Sequence, residues 1–175
     1  MDNKISVLLS EKELDDRIRE MGEEISRDYE GKAVHLICVL KGGTFFMCEL
    51  AKRITIPVSI DFMSVSSYGD EVVSSGIVKI TKDLDKPLEG KHVIVVEDII
   101  DTGRTLSYLL KVLKDRKPAS IKLATMLDKP DRRVVDDVNV DYTGFVIPDK
   151  FVVGYGLDYA ERYRNLPYIG VVEEV

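Results

Sequence analysis

Long apolar runs are missing from this 175-residue chain. The strongest, around Val95, is far shorter than the roughly 20 residues a bilayer span needs, so no membrane span or membrane partner is expected. The opening MDNKISVLLSEKELDD turns acidic before a signal-peptide core can form. Cysteine is nearly absent. Cys38 and Cys48 stand among apolar residues without metal-ligand or redox spacing, and read as buried, reduced thiols of a cytoplasmic protein. His35 and His92, away from the ends of the apolar runs, read as structural. Basic residues are outnumbered, 25 Lys and Arg against 31 Asp and Glu, for a net charge of −6. That balance opposes non-specific nucleic-acid binding. Repeats, low-complexity tracts and Ser/Pro/Gly-rich linkers are also absent. With 45% hydrophobic and 32% charged residues, the chain reads as one globular domain over residues 1–175.

What is present alternates strands with helices. Ser10 and Glu13 have capping-box spacing, and Leu14, Ile18, Met21 and Ile25 mark one helical face, with Gly31 as the stop. Residues 33–40 form a nearly continuous apolar run, as in a buried strand, and residues 44–54 read as a helix. Val58, Ile60 and Phe62 alternate with Ser59 and Asp61, which predicts a strand with one wetter face. A polar loop over residues 66–76 is followed by strands at 77–82 and 93–96, a helix at 105–113, and a strand at 120–126. Later strands are expected at 142–147, 151–154 and 169–172. This order implies right-handed βαβ units in a three-layer α/β domain, with ligands at the carboxyl ends of the strands.

The stretch VIVVEDIIDTGRTL, residues 93–106, puts three carboxylates beside a loop suited to an anion. Thr102, Gly103, Arg104 and Thr105 lie between a buried strand and a helix start, where free N–H groups and the helix dipole favour a phosphate. Neither the P-loop spacing nor the dinucleotide fingerprint occurs. The acids make sense if the ligand is a sugar phosphate. Glu97 and Asp98 would accept hydrogen bonds from ribose hydroxyls, or share a Mg²⁺ with them, while the loop holds the 5′-phosphate. Asp101 is then free for acid–base work near the anomeric carbon.

Two apolar pairs, Glu97-Asp98, two more apolar residues and Asp-Thr-Gly-x-Thr resemble, without a gap, the phosphoribosyl pyrophosphate signature of the type I phosphoribosyltransferases. Leu40-Lys41-Gly42-Gly43, Ser66-Ser67-Tyr68, LDKPDRR at 127–133 and PDKFVVGYGLDYAERYR at 148–164 are similar to the hypoxanthine-guanine phosphoribosyltransferases, especially their short bacterial form. The resemblance implies a three-layer α/β fold with a mostly parallel central sheet flanked by helices. It also implies a small hood from the N- and C-terminal segments and a mobile lid over about 66–76.

The implied reaction is Mg²⁺-dependent purine salvage. Hypoxanthine or guanine would join phosphoribosyl pyrophosphate to give IMP or GMP and pyrophosphate, through an oxocarbenium-like transition state. The implied roles are catalysis by Asp101, 5′-phosphate binding by residues 101–105, and ribose and metal binding by Glu97 and Asp98. Lys41, Gly42 and Arg164 would bind pyrophosphate. Lys129, Phe151, Val152 and Asp158 would bind the purine, with Asp158 also near the metal, and Ser67 and Tyr68 would belong to the lid. Arg133 could add charge at the cleft, whereas Arg132 reads as solvated. A homodimer or homotetramer is implied, and the Leu40-Lys41 peptide can be cis in such proteins. Two alternatives stand beside this reading: a nucleotide-sensing, nucleic-acid-binding regulator of the same fold, and an enzyme with a different acceptor base.

Overall fold

Ser10 closes the expected capping box. Its Oγ accepts the Glu13 N–H at 3.1 Å, and Glu13 Oε2 accepts the Ser10 N–H at 2.7 Å, which satisfies two of the donors a helix start leaves open. The helix that follows, α1 (Glu11–Asp28), buries Leu14, Ile18, Met21 and Ile25 on a single stripe. The computed structural model describes residues 3–67 and 78–173, with the side chain of Ser67 left out.

Around α1 the chain runs β1 (Lys4–Leu9), β2 (Val34–Val39), α2 (Thr44–Arg53), β3 (Val58–Ser67), β4 (Val78–Lys82) and β5 (His92–Ile100). It continues through α3 (Arg104–Lys114), β6 (Ser120–Asp128), a 3₁₀ turn (Pro130–Arg132), β7 (Tyr142–Val146), β8 (Val152–Val153) and β9 (Ile169–Glu173). Among the described residues the strands form two sheets. The larger has the order β4-β3-β2-β5-β6-β7 and the smaller β1-β9-β8. Every pairing in the larger sheet is parallel except β3 with β4.

Both faces of the large sheet are covered, which is why its central strands read as unbroken apolar runs. Leu36, Cys38, Ile94 and Val96 pack with α1 and α2; Ile37, Val93 and Val95 pack with Leu106, Leu109 and Leu113 of α3. The β2–β5–β6 register aligns the carboxyl ends of these strands, with Cys38 opposite Val96 and Ile100 opposite Asp128.

On β3 the face that carries Val58 and Ile60 is the wetter one, 37% and 48% exposed, whereas Asp61 and Met63 on the other are buried at 4% and 0%. Asp61 is affordable there because its carboxylate accepts N–H bonds from Phe62, Asp85 and Lys86 at 2.8, 2.9 and 3.2 Å. Two expectations are corrected. Cys48 is exposed on α2, while Cys38 is buried as expected; burial, reinforced by Glu97 and Asp98, pushes the Cys38 thiol up to about 12. β5 does not stop at Val96 but continues to Ile100 because β6 keeps pairing with it, Glu97 opposite Thr125 and Ile99 opposite Leu127. Strand β1, unforeseen in the sequence, is held by antiparallel pairing with β9.

Candidate active site

Glu97 and Asp98 are consecutive residues of one strand, so they leave it on opposite faces. Glu97 lies on the α3 side. With Val39, Asp101, Thr102, Gly103 and Thr105 it lines a cavity of about 210 Å³. Asp98 lies on the α2 side, against the turn that follows β2. A side chain on Gly42 would run into its carboxylate, so only glycine lets that turn approach so closely. The preceding Leu40-Lys41 peptide is cis.

Both acids are half-buried. Burial, and then the charge of Asp98, push the Glu97 carboxyl well above the usual carboxylate range. Asp98 is also raised, chiefly by burial, although the Ile99 N–H at 2.7 Å and the nearby Arg164 pull against the shift; Asp158 adds to it. Two carboxylates that are costly to ionise side by side suit a divalent cation or a set of hydroxyl donors. Among the described residues no cluster of three or more His, Cys, Asp or Glu forms a closed metal cage.

The loop after β5 makes a tight entry into α3. Gly103 is the N-cap residue at φ 83°, and its carbonyl accepts the Ser107 N–H at 2.8 Å. Behind it, the Val134 N–H donates to the Thr102 carbonyl at 3.1 Å and Arg133 Nε donates to the Asp101 carbonyl at 3.2 Å. Arg133 also pairs with the buried Asp128, so it braces the loop from below. Arg104, grouped with the loop in the sequence reading, is not among the residues lining the cavity.

Lys129 is only 7% exposed, far from an ordinary surface-loop lysine. Its N–H donates to the Ile100 carbonyl at 3.0 Å, and its ammonium lies 3.6 Å from Asp149. Asp149 in turn meets Arg132, whose Nε donates to Asp101 Oδ1 at 2.9 Å. Arg132 is therefore half-exposed but engaged rather than merely solvated. Phe151 is 53% exposed and meets Tyr159 edge-on, with ring centroids 5.4 Å apart, so it is not a core aromatic; Val152 behind it is buried.

Asp158 begins a turn and not a helix. Its carboxylate accepts the Glu161 N–H at 2.9 Å and pairs with Arg164 at 3.3 Å. Arg164 also donates to the Gly156 carbonyl at 2.7 Å. Lys41 reaches across to Glu161 at 2.9 Å. The structure places Glu97, Asp98 and Asp101–Thr105 at the end of β5 and its following loop, with Gly42 against Asp98, and Lys41 and Arg164 meeting at Glu161. Tyr68 lies outside the described residues, as does the Ser67 side chain; the Ser67 backbone pairs with Val78. Asp149 and Glu161 were not singled out and Arg132 was read as solvated, although all three lie inside the LDKPDRR and PDKFVVGYGLDYAERYR stretches; their partners Asp101, Lys129 and Lys41 are distant in the chain. His35 and His92 are structural: their Nδ1 atoms meet Ser59 and Ser120 at 2.6 and 2.7 Å.

A model of the phosphoribosyl transferase domain matches residues 6–160, and the chain belongs to this family. More particularly, it is similar to hypoxanthine-guanine phosphoribosyltransferases. That of Bacillus subtilis (strain 168) is 53% identical over 167 residues, covering 95% of this chain and 92% of the relative. The crystal structure of the one from Bacillus anthracis aligns with a TM-score of 0.94 at 48% identity, covering 98% of this chain and 100% of that one. The bifunctional protein TilS/HprT of Listeria monocytogenes (serotype 4b, strain F2365) is 58% identical over 167 residues; the chain spans about a quarter (26%) of that relative's length. No described helix is long and apolar enough to cross a membrane.

Proposed function

We propose that the chain transfers the phosphoribosyl group of 5-phosphoribosyl 1-pyrophosphate to hypoxanthine or guanine, giving IMP or GMP and pyrophosphate. The observation that carries this reading is the cavity that Glu97 shares with Asp101, Thr102, Gly103 and Thr105, an acid and the turn into α3 lining one space. The amides and hydroxyls of residues 101–105, with Arg104 at the rim, hold the 5′-phosphate at the start of α3. Glu97 accepts from the ribose hydroxyls on the α3 side. Asp98, on the other side, faces the pyrophosphate end, where Lys41, the Gly42 backbone and Arg164 supply the positive charge and donors.

Lys129 donates to the purine 6-oxo group. An amino group at the same position would leave two donors face to face, so adenine is rejected. Phe151 stacks on the ring, Val152 reads its edge through the backbone, and Asp158 stands on the N2 side. Asp101 manages the N7 proton while N9 attacks the anomeric carbon opposite the departing pyrophosphate. Glu97, Asp98 and Asp158 would hold Mg²⁺, which would supply charge neutralisation when bound. Ser67 and Tyr68 belong to a lid that excludes water from the oxocarbenium-like transition state. β1, β9 and β8 form the hood over the purine side.

The protein works in the cytoplasm, where the exposed Cys48 stays reduced, and assembles as a homodimer or homotetramer that covers Val58 and Ile60. The test is a substrate panel: purified protein, Mg²⁺, phosphoribosyl pyrophosphate and each free base, read by pyrophosphate release. Turnover with hypoxanthine and guanine but not adenine is the expected result. Release with a pyrimidine alone, or with no base, would overturn the assignment.

A further inference from the structure

Glu161 stands between the two cations of the pyrophosphate subsite and uses one carboxylate oxygen for each. Oε2 lies 2.9 Å from Lys41 Nζ, and Oε1 lies 3.3 Å from Arg164 Nη2. A tight turn puts it there. Tyr159 and Arg162 exchange backbone hydrogen bonds of 3.0 Å each, so Ala160 and Glu161 are a two-residue loop, with φ 51° and 63°. Both values are positive, as a type I′ hairpin turn requires. The Glu161 N–H is tied to Asp158. Lys41 makes no other ion pair among the described residues.

We propose that Glu161 sets the affinity of the pyrophosphate subsite: its carboxylate occupies Lys41 and Arg164 while the subsite is empty and competes with pyrophosphate for both. This rests on the reading of the function given above. The contact is built to yield. Lys41 and Glu161 are each 67% exposed, and an exposed pair is held only weakly. A polyanion carrying several charges displaces a single carboxylate readily, yet the displaced charge stays tethered nearby and speeds the product's departure. Lys41, followed by Arg164, holds the Glu161 carboxyl below its usual range, so it remains an anion throughout the neutral range.

The experiment measures binding of inorganic pyrophosphate with Mg²⁺ to wild type and Glu161→Gln by calorimetry, together with KM for phosphoribosyl pyrophosphate and for hypoxanthine. Glutamine keeps the shape and the backbone bond to Asp158. Pyrophosphate affinity is expected to rise about three- to tenfold at low salt, and KM for phosphoribosyl pyrophosphate to fall in step. KM for hypoxanthine should stay unchanged, and the gain should shrink as ionic strength rises. Glu161→Ala gives the same reading should the glutamine variant melt early. Equal or weaker pyrophosphate binding in a folded variant, with wild type binding normally, would overturn the role of Glu161 alone. Failure of wild type to bind pyrophosphate would instead remove the function itself, and this proposal with it.

Discussion

Arg132 Nε donates to Asp101 Oδ1 at 2.9 Å, while Arg132 Nη1 reaches Asp149 at 3.5 Å. One guanidinium thus links the proposed acid–base residue to the carboxylate that also meets the buried Lys129. Asp101 and Lys129, the two groups proposed to meet the purine, belong to a single polar chain.

Asp101→Asn removes the ionisable group but keeps a side chain of the same shape. Turnover with hypoxanthine should fall about 10²- to 10⁴-fold. The thermal midpoint should move little, because the pair with Arg132 is half-exposed. Steady-state kinetics and a circular dichroism melt test both halves; unchanged turnover would remove Asp101 from the chemistry.

Lys129→Gln substitutes a shorter, uncharged group that can both donate and accept. The kcat/KM for hypoxanthine should drop about 10- to 100-fold, the worth of a hydrogen bond from a charged donor. Adenine, formerly met by a donor alone, should gain relative to hypoxanthine. A competition assay with both bases reads the ratio directly. A ratio equal to that of wild type would mean that Lys129 does not face the 6-position.

Gly42→Ala places a methyl group where the Asp98 carboxylate now lies. Either the turn or Asp98 must shift, at a cost of about 1–3 kcal/mol. The expected outcome is a lower melting temperature together with a weakened response to Mg²⁺ and phosphoribosyl pyrophosphate. Full activity at wild-type stability would show that the turn has room to spare.

The buried acids predict a pH dependence of defined sign. Folding raises the Glu97 carboxyl well above the ordinary glutamate value of 4.5, so the folded state binds the proton more tightly than the unfolded one. Stability from this group is complete below about pH 4.5 and is lost as pH rises through the higher folded value. Glu97→Gln should therefore melt higher than wild type at pH 8, with the gain disappearing near pH 4. Added Mg²⁺ should raise the wild-type midpoint at pH 8 and leave the variant less affected. Scanning calorimetry at the two pH values decides it; a variant less stable at pH 8 contradicts the direction.

The parts of this molecule legible in its sequence are those governed by neighbours in the chain. The capping box at Ser10, the stripe on α1 and the turn from β5 into α3 all depend on residues within a few positions of one another. The extension of β5 through two acids was hidden because it depends on β6. Which face of β3 is buried was not readable, because the buried Asp61 is satisfied by the Asp85 and Lys86 amides, which no period-two pattern announces. Of the site, the phosphate loop and its acids were readable as one contiguous motif. Arg132, Asp149 and Glu161 had no readable role there, since Asp101, Lys129 and Lys41 are brought up to them by folding.

Because Glu97 and Asp98 are neighbours on β5, the hydrogen-bond ladder that fixes this strand between β2 and β6 also decides which acid projects to the α3 side and which to the α2 side. Sliding β5 by a single residue would keep every acid in the chain and still exchange their sides. Strand alignment here is thus a chemical specification, and an insertion near Val95 should silence the protein more thoroughly than loss of any one carboxylate.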